Sequence, residues 1–131
     1  MLRGRINNRA RAQQLRDYSG LRFGNITPTD IDGLIEYHNK AYILIELKCV
    51  DATLPDGQRL ALERMTDDLS KAGKSTICIV ANHDMLEPKD DIDVANALVI
   101  EYRWHMRWRI LKTSFKVREF IKLFLSKIGA T

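Results

Sequence analysis

Residues 29–48 read TDIDGLIEYHNKAYILIELK, and the fold turns on how this stretch is paired. Residues 31–37 and 41–48 are rich in Ile, Leu and Tyr, which suit a half-buried pleated surface, and only His38, Asn39 and Lys40 separate them. The spacing predicts a β-hairpin, with Asn39 suited to a left-handed turn position. Side chains alternate faces along a strand, so Glu46 and Lys48 share one face while Leu47 turns away. Setting Asp32 opposite Glu46 pairs 34 with 44 and 36 with 42, and leaves a turn over residues 37–41. This register gathers two carboxylates and a lysine into one patch, with facing β-carbons about 5 Å apart.

Two carboxylates that close repel each other and need a compensating cation. Lys48 supplies one positive charge, and a hard divalent ion such as Mg2+ would supply two more. A metal on two acids beside a lysine can polarise a phosphodiester and aim a bound water in line with the leaving oxygen, which is nuclease chemistry. An exposed salt-bridge ladder at a sheet end is the competing account. With six glutamates and nine lysines in the chain, about 0.4 Glu-x-Lys triplets are expected by chance, so context must decide. A second triplet, Glu87-Pro88-Lys89, lies in a polar stretch beside a proline with no apolar strand before it. Glu46-Leu47-Lys48 ends an apolar strand, faces Asp32 across the hairpin, and is followed by a helix start at Gly57-Gln58.

Outward from the hairpin, residues 8–17 favour a helix and 21–23 a short first strand. The segment 49–57 reads as a loop into a helix over 58–71, with Leu62, Met65 and Leu69 along one side and Gly73 as its stop. Residues 75–81, STICIVA, are too apolar for an exposed strand and predict an interior one. A polar loop over 82–93, strands over 94–104 and 108–111 joined by a turn at His105-Met106, and a helix over 114–128 complete the chain. That helix places Val117, Phe120, Ile121, Phe124, Leu125 and Ile128 on one side. The expected class is layered α/β, a mixed sheet covered by helices. Its length of 131 residues fits one domain, residues 1–131.

The composition, 45% apolar and 29% charged, is that of a globular chain with a real core. Its net charge of +4 hides an uneven distribution. Residues 1–16 carry five arginines and no acid, and residues 102–131 carry eight basic groups against Glu119 alone; the middle is acidic. A basic N-terminal arm (1–16) and a basic C-terminal strand and helix (102–131) suggest a polyanionic partner, nucleic acid or anionic lipid. The start also looks like a mitochondrial transit peptide, but no serine precedes Ser19, so it is read as an arm. No apolar run reaches the length of a membrane span. Cys49 and Cys78 lie in apolar runs without metal-ligand spacing, which predicts free, buried thiols and a cytoplasmic location.

The series Asp32, then Glu46-Leu47-Lys48, on consecutive strands between two helices resembles the PD-(D/E)xK nuclease superfamily, which has the restriction-endonuclease-like fold. The wording Thr29-Asp30-Ile31-Asp32-Gly33, Ile45-Glu46-Leu47-Lys48, Gly57-Gln58-Arg59-Leu60-Ala61-Leu62-Glu63-Arg64 and Asp91-Ile92-Asp93-Val94-Ala95-Asn96 resembles small stand-alone bacterial and phage-type members. The layout is similar to archaeal Holliday-junction resolvases and the virus-type replication-repair nuclease module. The likeness covers about residues 8–104. It implies an Mg2+-dependent deoxyribonuclease, an endonuclease, with Mn2+ as a substitute metal. Asp32 and Glu46 would ligate the metal with the Leu47 backbone carbonyl, Lys48 would orient the attacking water, and Gln58 would support them. The sequence departs from the family pattern at Pro28, which precedes Thr29-Asp30, so Asp30 competes with Asp32 as first ligand. Many members also place a glutamate in the first helix, whereas nothing acidic here precedes Asp17, which points to a one-metal site.

DNA would be gripped through Arg9, Arg11, Arg16, Arg103, Arg107, Arg109 and Lys112. The alternating stretch 103–109, RWHMRWR, fits either a surface that stacks on bases and holds phosphates or a strand with its tryptophans in the core. Asn82-His83-Asp84 follows the interior strand, where α/β sites often open, so His83 is a candidate substrate contact. A resolvase would need a symmetric homodimer, an assembly the sequence leaves open. Two other functions compete: a non-cleaving nucleic-acid-binding protein on the same fold, and a small interaction protein whose basic arms contact acidic protein or lipid.

Overall fold

The computed structural model describes residues 14–50, 52–84 and 91–130. Its five strands, β1 (Gly33–Tyr37), β2 (Ala41–Cys49), β3 (Ser75–His83), β4 (Leu98–Trp104) and β5 (Arg107–Ile110), lie side by side in chain order. Only β2 and β3 run parallel, joined by helix α1 (Asp56–Lys71), while every other neighbouring pair is antiparallel. Helix α2 (Val117–Lys127) closes the described chain. The result is the α/β class expected, a mixed sheet with a helix on each face.

The hairpin has the register that the alternation requires, with Leu34 opposite Leu44 and Glu36 opposite Tyr42. Its loop is shorter than the five residues expected, because Tyr37 still pairs with Ala41 and only residues 38–40 turn. His38 and Asn39 both adopt positive φ, 50° and 58°, and Lys40 N–H donates to the Tyr37 carbonyl at 2.9 Å. Two consecutive left-handed residues match the strand twist of a tight hairpin. Lys74 Nζ donates to the Asn39 carbonyl at 2.7 Å and to its Oδ1 at 2.9 Å, tying the hairpin tip to the start of β3.

Strand alternation divides the core into two layers. Ala41, Ile43 and Ile45 join Ile77, Ile79, Ala81 and Val99 under Val117, Phe124 and Leu125 of α2. On the other face Leu44, Cys78 and Val80 pack with Leu54 and with Leu62 of α1. Burial of β3 from Thr76 to Ala81 explains why STICIVA is apolar throughout. Each large aliphatic side chain buried in this way stabilises the fold by roughly 1.5–3 kcal/mol.

Helix ends follow local chemistry. After α1, Gly73 takes φ of 94°, and the N–H groups of Lys74 and Gly73 donate to Leu69 and Ser70, satisfying carbonyls that the last turn leaves open. Before α2, residues 115–117 run alongside the start of β4, with Val99 N–H donating to Phe115 and Val117 N–H to Ala97. This pairing delays the helix, which begins at Val117 and not at Ser114. Its expected apolar side, including Phe120, Ile121 and Ile128, does pack on the sheet.

Four local expectations differ from the structure. Residues 21–23 form no strand: a 3-10 turn covers Ser19–Leu21, and Phe23 bridges only to Ile26 across Gly24. Leu21 and Phe23 remain exposed, so no ladder partner holds them extended. Of the helix expected over 8–17, residues 8–13 lie outside the described part and residues 14–17 are irregular. Residues 94–96 form a 3-10 turn, and β4 starts only at Leu98. Along α1, Thr66 is buried and Met65 exposed, because the helix meets a sheet face that carries charged groups as well as aliphatic ones. No helix among the described residues is long and apolar enough to cross a membrane.

Ile79→Ala is expected to lower unfolding free energy by about 2–5 kcal/mol, and Met65→Ala by under about 0.5 kcal/mol, in urea titrations followed by circular dichroism.

Candidate active site

The α1 face of the sheet, at the ends of β2 and β3, collects the residues that the hairpin reading singles out. Glu46 points there from β2, and only 2% of it is exposed. Gln58, in the first turn of α1, donates from Nε2 to Glu46 Oε1 at 2.7 Å. Lys48, two residues along the same strand face, lies with Nζ 3.5 Å from the same Glu46 oxygen and donates to Gln58 Oε1 at 3.3 Å. One amide thus links acid and lysine, accepting from the ammonium and donating to the carboxylate. The β2–α1 connection brings Gln58 to within bonding distance of a strand that ended several residues earlier.

Asp32 stands just before β1, where the Leu47 N–H donates to its Oδ2 at 2.7 Å. Within an extended strand the N–H and C=O of one residue point to the same side. The Leu47 carbonyl therefore faces the Asp32 side of β2, beyond the first β1–β2 pair at Gly33 and Ile45. The Asp32 carboxylate is close enough to affect the Glu46 carboxyl. Glu46 is held above the usual carboxylate range by burial first and the Asp32 charge second, with Lys48 and Gln58 opposing.

Glu46 Oε2 is buried and accepts from no donor among the described residues, with the Asp32 carboxyl as its neighbour. A buried carboxylate oxygen left open beside a second carboxylate is a strong demand for a cation or a proton. A hard divalent ion fits this donor set: two carboxylates and one carbonyl, all oxygen, with water or substrate oxygens completing the shell. The described residues contain no group of three His, Cys, Asp or Glu arranged for a metal, so these two acids would be its only charged side-chain ligands there.

Asp30, the competing ligand, is exposed and accepts from Tyr18 Oη at 3.4 Å. Of the residues expected to grip DNA, one is engaged inside the protein. Arg103 is nearly enclosed, its side chain 11% exposed, and forms a two-pronged bond to Asp67 at 2.9 and 2.6 Å with Glu63 3.2 Å away. That guanidinium is committed to α1. Arg16, Arg107 and Lys112 are exposed and Arg109 is half-buried, whereas Arg9, Arg11 and the triplet 87–89 lie outside the described residues.

The tryptophans of the 103–109 stretch face opposite sides. Trp104 meets Phe124 edge-on at 5.1 Å, and Trp108 packs against the α1 layer and donates from Nε1 to Glu63 at 2.8 Å. Arg59 lies 4.6 Å over the Trp108 ring and pairs with Glu101. This polar seam of Arg59, Glu63 and Asp67 against Glu101, Arg103 and Trp108 was not singled out from the sequence. Its signal is the spacing of four along α1, which stacks the three helix residues on one face. Asn82 pairs with Lys48, and its Oδ1 is buried without a partner among the described residues. Cys78 is buried and Cys49 half-buried, both free, and burial pushes the Cys78 thiol up to about 12.

Removing the Glu46 charge should change stability in a pH-dependent way. A carboxyl whose folded pKa exceeds its unfolded value of about 4.5 is tolerated fully below that value and opposes folding increasingly as pH rises through it to the folded pKa. Without divalent metal, Glu46→Gln is expected to raise the thermal midpoint by a few degrees at pH 7 and to leave it nearly unchanged at pH 4, by differential scanning calorimetry.

Scans of the chain against protein-family models, curated proteins and solved structures returned no significant match.

Proposed function

We propose that this protein is a metal-dependent nuclease of the PD-(D/E)xK kind that hydrolyses DNA phosphodiester bonds. The observation that carries the reading is the buried Glu46 with one open oxygen beside Asp32, with Lys48 and Gln58 anchored on its other oxygen. An exposed salt-bridge ladder would not enclose a carboxylate to 2% exposure and leave half of it unpaired. Asp32, Glu46 and the Leu47 carbonyl would hold Mg2+ or Mn2+, which when bound supplies charge neutralisation and polarises the phosphate.

The chain's own residues would do the rest. The hydrogen bond from Leu47 N–H fixes the Asp32 carboxylate before any ligand arrives, so little reorganisation is needed on binding. Gln58 holds Glu46 and the Lys48 ammonium in one plane of contacts, and Lys48 then orients the water that attacks phosphorus. Asp32 is the preferred first ligand, since Asp30 is turned to Tyr18. Arg16, Arg107 and Lys112 would hold the phosphate chain together with Arg9 and Arg11 of the N-terminal arm. Arg103 is left out of this grip because its charge is matched by Asp67 and Glu63. The free thiols fit a reducing cytoplasm.

Linear, nicked, flapped, branched and single-stranded DNA incubated with Mg2+ or Mn2+ tests the reading. The wild-type chain should cut at least one form, Asp32→Ala, Glu46→Ala and Lys48→Ala should each lose roughly 10²–10³-fold in rate, and Asp30→Asn should stay within about threefold. Cleavage of nothing with either metal, or a Glu46→Ala protein as active as wild type, overturns it.

A further inference from the structure

The parallel pairing of β2 and β3 brings their carboxyl ends together, and a cleft of about 370 Å³ opens there. Val50, which follows β2, and Ile92 and Leu98 supply apolar wall, while Asn82, His83, Asp84, Asp93 and Asn96 supply polar groups, with Asn96 Nδ2 donating to Asp93 Oδ2. Asn82 is the wall shared with the catalytic face, because it pairs with Lys48 and side chains opposite one another in a sheet share a face. Lys48 and Asn82 lie one strand spacing apart, about 5 Å, while Asp32 continues the Gly33–Ile45 register opposite Glu46. The cleft is therefore the next-door compartment of the carboxylate site, and it holds His83, the candidate substrate contact of the sequence.

We propose that this cleft receives one unpaired nucleobase of the strand being cut, adjacent to the scissile phosphate. The proposal rests on the nuclease reading and adds its substrate class: strands with at least one unpaired nucleotide at the cleavage point. Charge argues against a phosphate as the occupant, since no lysine or arginine lines the cleft among the described residues and two aspartates do. A nucleobase matches instead: a flat ring for apolar walls, and amino groups for carboxylate and amide acceptors. Asn82 adds the second observation, a buried Oδ1 without a partner among the described residues, on a residue whose amide can pair with a base edge. A base stacked inside a duplex cannot enter such a pocket without leaving its stack, so an already unpaired base is favoured.

Full-length protein carrying Glu46→Gln, which removes a repulsive carboxylate, is held without divalent metal so that binding is read alone. Fluorescence anisotropy compares a single-stranded oligonucleotide with copies holding an abasic site at successive positions. Loss of one base should weaken binding about tenfold at one or two positions and little elsewhere. Adding Asn82→Leu, which removes an unpaired polar group, or Leu98→Trp, which fills the cleft from an exposed position, should abolish that positional preference. Equal binding of every abasic copy, a preference that survives both substitutions, or no binding at all overturns the proposal. Because this measurement needs no cleavage, its failure is separate from failure of the nuclease reading, which the metal-dependent cutting assay decides.

Discussion

The arrangement at the heart of this protein depends on a carboxylate that is almost wholly buried. Glu46 lies inside the sheet–helix layer with one oxygen satisfied by Gln58 and the other open. Burying a charge in this manner opposes folding unless something offsets it, and the partial offset from Lys48 is itself bound to the same amide. The fold must therefore carry the strain from elsewhere. Two aliphatic layers, one under each helix, supply the favourable burial that lets the α1 face hold such a group.

That same face explains the charged seam further along α1. Arg59, Glu63 and Asp67 sit on the inward side of the helix, where a purely apolar stripe would be expected. Their partners, Glu101 and Arg103, come from β4, so the seam fixes the helix over the central strands. Gln58 neighbours Arg59 in the first turn, and the seam thereby sets where the amide meets Glu46 and Lys48. Packing, ion pairing and site geometry are linked through one helix.

Much of this could be read from the sequence, for reasons that are local. The hairpin register follows from strict alternation and a three-residue interruption, and it places Asp32, Glu46 and Lys48 together. Gly73 and the apolar side of α2 follow from backbone and helical periodicity. What could not be read depends on distant partners. Leu21 and Phe23 are apolar enough for a strand, but among the described residues Phe23 bridges only to Ile26. Arg103 looked like a phosphate contact because its acids lie 36 and more residues away, on an element whose docking angle no local pattern encodes. Met65, expected on the packed side of α1, is exposed for the same reason. Asn82 became notable only when parallel pairing set it beside Lys48.

The central claim, that Asp32 and Glu46 together hold a divalent cation, is tested most directly by titrating Mn2+ into the wild-type chain and following free metal by electron paramagnetic resonance at neutral pH. A single class of bound Mn2+, displaced by excess Mg2+ and lost in both Glu46→Gln and Asp32→Asn, is the predicted result. No bound Mn2+ in the wild-type chain, or binding that persists unchanged in the two variants, would contradict it.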